Sequence, residues 1–240
     1  MKKVLTACAL FLSAGTTGCV TDGNQDIVNI LGGVAELAGP VTTQEVGMGL
    51  KEALSVGTGR VIDNVSMPNG YFEDSAIKIG LPGELGKVQK SLGRIGMDGS
   101  LNELELKMNR AAEEAAPKAK QLFISAVTSM TIDDAMGLLN GGDTAATEFL
   151  RTKTEANLRQ EFKPIVVSSL AQVGALDQAE TVIGKYLPSN MVSSMRTELV
   201  NYAVDGALDG LFHYLAEEEQ AIRNDPGKQT TKLLKRVFGG

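Results

Sequence analysis

Residues 195–224 read MRTELVNYAVDGALDGLFHYLAEEEQAIRN. Val200, Val204, Leu208, Leu211, Leu215 and Ile222 recur at spacings that put them on one face of an α-helix. Asp225-Pro226-Gly227 breaks the run. This is the longest helix the chain predicts, from about Met195 to Asn224. An apolar face of that length has to be covered by other elements.

Working outward, the covering segments also read as helices. Ala119, Leu122, Phe123, Ala126, Val127 and Met130 form a core-facing stripe, preceded by Pro117, which kinks or restarts the chain. Thr131 caps a short helix with Ile132, Ala135, Met136 and Leu139, and Asn140-Gly141-Gly142 ends it. Asp143 is placed to cap the next helix, which carries Ala146, Leu150, Leu158 and Phe162 through Pro164 to Val166, Leu170 and Val173. Leu176, Ala179, Ile183 and Leu187 predict another short helix, and Leu233, Leu234, Val237 and Phe238 a last one. Toward the N-terminus, Ser100 with Glu103 reads as a capping box opening a helix with Leu101, Leu104, Met108, Ala111 and Ala115 on its core face. Thr42 with Glu45 is a second such box. It starts a helix whose Val46, Leu50, Leu54, Val61 and Val65 share a face. Gly47, Gly49, Gly57 and Gly59 interrupt that helix, so it either bends or packs closely on a neighbour. Met67-Pro68 ends it. Tyr71 to Leu81 is the least helical stretch, and alternation of Ile77, Ile79 and Leu81 suggests a short extended segment. Pro82 suits the first position of a helix that Gly96 stops. With no strand pattern and short connections, the class is all-α: a compact multi-helix bundle of mostly antiparallel helices. Aromatic residues are only 5% of the chain, so the core packs small side chains closely or leaves a cavity.

The first residues carry a different message. Lys2 and Lys3 precede the charge-free run Val4–Ala14, too short for a membrane-spanning helix of about 20 residues. Residues 1–18 therefore read as a secretion signal. Gly18-Cys19 resembles the bacterial lipoprotein processing site, although Thr16 stands where leucine is usual. That resemblance implies acylation of Cys19 and a membrane partner reached through an N-terminal lipid anchor. Val20, in place of a retention aspartate, implies the outer membrane, with the domain facing the periplasm. Ordinary cleavage nearby would leave a soluble periplasmic protein instead. The organisation expected is a signal peptide over 1–18, a lipid-anchored tether with a short helix at Asp26–Leu37 over 19–42, and one all-α domain over 43–240.

Composition removes several chemistries. Cys8 lies in the signal, so the mature domain has no disulfide even in an oxidising compartment. Removing Lys2 and Lys3 from the 23 basic residues leaves 21 against 29 acidic, an argument against a nucleic-acid partner. One histidine, His213, stands alone where zinc sites need several His or Cys ligands, so neither a metal nor a cofactor is expected. No G-x-S-x-G elbow is present. Gly57-Thr58-Gly59-Arg60 and Gly83 to Lys87 lack the residues of a phosphate loop and read as structural.

Two polar groupings remain. Glu105, Asn109, Arg110 and Glu113 cluster on one helix, with Arg110 also able to pair with Glu114. They either bind a polar ligand and perform acid–base work, or fix helix register through ion pairs and buried hydrogen bonds. Asp209, His213 and Glu217 share a face at four-residue spacing, either as an acid–histidine–acid metal or proton-relay site or as a solvated ridge that Asp205 extends. At the C-terminus, Lys228, Lys232, Lys235 and Arg236 complement a helix dipole or meet anionic lipid or an acidic partner.

Six motifs resemble the bacterial family "domain of unknown function 4197": Gly49-Leu50-Lys51-Glu52-Ala53-Leu54, Glu105 through Glu113, Leu139-Asn140-Gly141, Lys163-Pro164-Ile165-Val166, Ala207-Leu208-Asp209-Gly210-Leu211-Phe212 and Ala216-Glu217-Glu218-Glu219. The resemblance covers residues 45 to 239. It implies an exported helical domain, often a lipoprotein, and carries over no activity and no site residues. The function expected is a non-enzymatic envelope lipoprotein acting as a binding scaffold for an unknown envelope protein. The alternatives are a periplasmic carrier of an apolar ligand in a bundle cavity and an enzyme using the Glu105–Arg110–Glu113 cluster.

Overall fold

A computed structural model of the chain describes residues 42–171 and 189–225, with positions 177, 180, 181, 184, 185, 228 and 235. All belong to one compact unit, Val41–Gly240. The described helices are α1 (Thr43–Val65), α2 (Gly83–Gly93), α3 (Gly99–Ala115), α4 (Ala119–Ser129), α5 (Ile132–Leu139), α6 (Ala145–Ala171) and α7 (Ser189–Asn224). A 3-10 turn at Ala116–Lys118 joins α3 to α4, so Pro117 tightens the chain without ending its helical course. No strand occurs among the described residues, and the fold is an all-α bundle. Cys19, the Asp26–Leu37 helix, the residues Leu176, Ala179, Ile183 and Leu187 of the expected short helix, and Leu233, Leu234, Val237 and Phe238 of the expected last one lie outside the described residues.

The main core is one continuous cluster to which all seven described helices contribute, with Ala53 and Ile222 as a small satellite. α7 is its spine: Val200, Val204, Leu208, Leu211 and Leu215 are buried, and α1, α3 and α6 all pack on it. Thr147, Arg151 and Arg159 of α6 meet Glu219, Asp209 and Asp205 of α7 in reverse order, so these two helices are antiparallel. At the centre, Phe123 and Phe212 meet edge to face with ring centroids 6.0 Å apart, a geometry aromatic pairs favour. Small residues fill the remainder. Ala111, Ala112, Ala115 and Ala119 are all fully buried, as are Ala203 and Ala207 across from them in the same cluster.

Several local expectations need correction. Leu122 is only half-buried, because its neighbour Phe123 takes the inward position. Ile132 is exposed at the first turn of α5, and Leu139 is half-buried at its end. The Ser100–Glu103 box does not form. α3 starts two residues earlier, capped at Asp98, whose carbonyl accepts from the Leu101 and Asn102 amides, so Ser100 is already inside the helix. Pro82 is the cap of α2 and not its first residue. The segment with Ile77 and Ile79 is a series of turns that buries both side chains without forming a strand. α7 starts at Ser189, six residues before the expected position. α1 runs unbroken, and Gly57 makes a close approach to Ile222 and Glu218 of α7.

The Thr42–Glu45 box forms as read, and Thr131 caps α5 as read, with Asp134 completing a capping box there. The N-terminus of α6 is closed from a distance. Glu219 of α7 accepts from the Ala146 amide at 3.0 Å and from the Thr147 amide and hydroxyl, both at 2.8 Å. Arg223, one turn on, pairs with Glu219 at 2.9 Å and donates to the Leu138 and Leu139 carbonyls at 2.8 and 3.3 Å. One buried ion pair thus satisfies the start of α6 and the end of α5, each of which leaves backbone groups unbonded. Its charges match the two helix dipoles.

Two substitutions test this packing. Phe123→Ala lowers unfolding free energy by about 3–5 kcal/mol, and a loss under about 1 kcal/mol in denaturant titration would move the ring out of the core. Glu219→Ala strands Arg223 and two amides, with an expected loss of about 3–5 kcal/mol.

Candidate functional site

The turn segment 66–82 positions the polar groups of the domain. It leaves α1 at Ser66 and crosses the bundle before α2, with Tyr71, Ile77 and Ile79 inserted in the core. Buried irregular backbone needs hydrogen-bond partners, and α3 supplies them. The Asn109 side chain reads Ile79 twice, accepting from its amide at 2.8 Å and donating to its carbonyl at 2.9 Å. Glu113 accepts from the Tyr71 and Phe72 amides through Oε1, at 3.1 and 3.3 Å. Its Oε2 meets Arg110 at 2.6 Å. Arg110 also donates to the Asn69 side chain, whose backbone sits in the left-handed region at φ 72°. The Tyr71 hydroxyl completes the strap by donating to the Ala207 carbonyl of α7 at 2.7 Å. Gly210 makes room for the ring, since a Cβ there would lie 2.6 Å from Tyr71 Cε1.

The sequence-defined cluster is therefore split in two. Asn109, Arg110 and Glu113 bond to the strap. Glu105 faces elsewhere, with Lys78 at 2.7 Å and Gln89 at 2.6 Å. Its carboxylate does not flank Arg110 opposite Glu113, and Arg110 pairs with Glu113 and not Glu114. The second grouping is exposed. His213 Nε2 lies 3.3 Å from Glu217, while Asp209 pairs with Arg151 at 3.3 Å and Asp205 with Arg159. Asp209 thus turns to α6 and His213 to the next turn of its own helix, in separate contacts. Among the described residues, no group of three or more His, Cys, Asp or Glu is placed to hold a metal ion. Nor is any single described helix long and apolar enough to cross a membrane.

An open cleft of about 700 Å³ lies against the outer side of the strap. The end of α1 gives Arg60 and Asn64, the strap gives Asn69, Glu73, Asp74 and Ser75, and α7 gives Tyr214, Glu217 and Glu218. Arg60 bonds Glu218 at 2.9 Å across the cleft, and Lys228 reaches the same carboxylate at 3.4 Å. The Tyr214 hydroxyl donates to Asp74. That bond, then burial and the nearby carboxylates, pushes the Tyr214 phenol up to about 12. Burial, then the Glu113 carboxylate, holds the Tyr71 phenol well above the ordinary tyrosine range. Sequence reading missed this cleft because its walls come from three segments. The signals were scattered: Arg60 at the end of a glycine motif read as structural, Glu217 in a helix stripe and Lys228 in the basic C-terminal segment.

An all-α bundle, seven helices of it among the described residues, strapped by one buried turn segment is the class these features define. The family profile "Protein of unknown function (DUF4197)" matches residues 40–239, and the chain belongs to that family. No curated protein and no solved structure matches it. The motifs that carried the resemblance include the strap's partners on α3, Gly210 beneath Tyr71, and the Glu219 clamp.

Asn109→Ala is expected to cost about 1–3 kcal/mol because it leaves the Ile79 amide and carbonyl without their partner, and Glu113→Gln about as much because it turns an amide NH2 toward the Arg110 guanidinium in place of a carboxylate oxygen. Unchanged melting temperatures would show that the strap does not depend on them. The raised phenols also set an alkaline limit. Unfolded tyrosine ionises near pH ~10, so the stability these groups contribute is full below that value and lost as pH rises toward about 12 for Tyr214. Tyr71→Phe is expected to lose less stability than the unsubstituted chain between about pH 9 and about pH 11.

Proposed function

We propose that this protein is an envelope lipoprotein, held at the outer membrane through Cys19, whose helical domain binds another envelope protein at the cleft and performs no chemistry of its own. The observation that carries this reading is how the buried polar groups are used. Asn109, Glu113 and Glu219 each bond to this chain's own backbone. Polar side chains from α1, the strap and α7 converge instead at the open cleft, where a partner can reach them. The signal-like residues 1–18 ending at Cys19 support export and anchoring. A cleft with both signs of charge, Arg60 and Lys228 among Glu73, Glu217 and Glu218, suits a polar protein surface.

The carrier reading keeps one observation of its own. A mostly apolar groove of about 320 Å³ lies between Pro82 and Leu85 on one side and Met195, Leu199 and Tyr202 on the other. That is near the lower end of ligand pockets. Displacement of a fluorescent fatty acid from the purified chain, lost in Leu199→Asp, would favour it.

Cys19→Ser is expected to move the protein from the membrane to the soluble fraction and to abolish labelling by palmitate. A photo-crosslinking residue at Glu73 should give a discrete heavier adduct in cells, while the same residue at exposed Lys163 of α6 should not. Absence of an adduct at Glu73, with the protein present at normal level, would remove the cleft from the binding face.

A further inference from the structure

The turn after α2 is closed by its own backbone. The Ile95 amide donates to the Leu92 carbonyl at 3.0 Å, the Gly96 amide to Gly93 at 3.3 Å, and the Met97 amide back to Leu92 at 3.0 Å. Gly96 has φ 70°. This is a Schellman closure, in which a left-handed glycine lets the next residue fold back over the last helical turn. An apolar residue after that glycine commonly rests against the helix. Met97 does not: it is 62% exposed, and Ile95 is 66% exposed. They are the most exposed large apolar side chains among the described residues. Positions 93–97 form five consecutive exposed residues, while Leu92 beneath them is buried and anchors the turn.

Nothing in the fold accounts for the two apolar side chains. The backbone bonds hold the turn without them, and polar residues would cost the domain no packing. Charge gives the second half of the argument. Lys90 and Arg94 are one turn apart, exposed and adjacent to the tip. Among the described residues neither has a carboxylate at ion-pair distance, whereas Lys87 on the same helix pairs with Glu84 at 2.6 Å. Two apolar side chains on a fixed turn, flanked by two available cations, match the layered chemistry of a bilayer surface: acyl chains below, anionic phosphates above.

We propose that the 94–97 turn is a membrane-contact tip, with Ile95 and Met97 entering the interface of an anionic bilayer and Lys90 and Arg94 lying against lipid phosphates. The net charge of the chain is −6, so the attraction is local and orients the domain. This contact requires no acyl anchor, and its test is made without one.

The chain has no tryptophan, so Met97→Trp introduces a single reporter. In the full chain carrying Cys19→Ser and Met97→Trp, emission is expected to shift to shorter wavelength on vesicles of phosphatidylethanolamine and phosphatidylglycerol. Brominated acyl chains should quench it. Vesicles of phosphatidylcholine should give a response weaker by about tenfold, since binding combines apolar burial with attraction to anionic lipid. Ile95→Asp, or Lys90→Gln with Arg94→Gln, should abolish the shift at unchanged melting temperature. A tryptophan placed instead at exposed Lys120 of α4 should not respond. No shift at position 97, an equal shift at position 120, or a shift that survives Ile95→Asp would overturn the proposal. So would a loss of dimer in Ile95→Asp, which would make the tip a contact between copies of this chain.

Discussion

Backbone that is buried without being helical must find hydrogen-bond partners, and here the partners are two side chains on one helix. Asn109 and Glu113 are one turn apart on α3, and between them they bond Tyr71, Phe72 and Ile79 of the strap. The rest of the arrangement follows from that demand. α3 must lie beside the strap, so its opposite side carries Ala111 and Ala115 toward the other helices. α7 must pass beneath Tyr71, so it has glycine at position 210 and offers the Ala207 carbonyl to the phenol. A carboxylate committed to two amides and a guanidinium is already doing structural work, which is why a dense acid–arginine cluster in the sequence becomes a brace in the fold.

The same economy of size runs through the interior. With few aromatic side chains, the bundle relies on alanine and glycine at helix contacts, where backbones approach closely and dispersion contacts are many. Phe123 and Phe212 meet at the centre, and Arg151 covers the outer face of Phe212 at 4.4 Å. Small residues at such contacts leave little tolerance, because an added methyl group has nowhere to go in a close-packed interior.

How much of this could be read beforehand depended on the range of the interaction. Helical periodicity is local, so the core faces of α1, α3, α6 and α7 were legible from spacing alone. The box at Thr42 and the cap at Thr131 were legible for the same reason. The Ser100 box was a false signal, since the spacing was right but the Asp98 carbonyl had already begun the helix. Alternating isoleucines in the strap suggested extension because two buried residues in consecutive turns can share the period of a strand. The partners of Glu113 lie 41 and 42 residues away in sequence, and those of Glu219 lie 72 and 73 away. No pattern within a window identifies such pairs. Composition did foreshadow close packing, and it said nothing of the cleft, whose walls are assembled only by the fold.

The clamp at Glu219 and Arg223 also imposes an order of events. The first turn of α6 and the last of α5 are finished by side chains that follow them in the chain by more than seventy residues. Tyr71 waits still longer, for a carbonyl 136 residues later. A chain emerging from its N-terminus thus carries unmet backbone groups at two places, and an unmet phenol at a third, until α7 arrives. Closing such distant pairs demands chain entropy before contacts return it. The domain consequently withholds its folded state until nearly all of it is available.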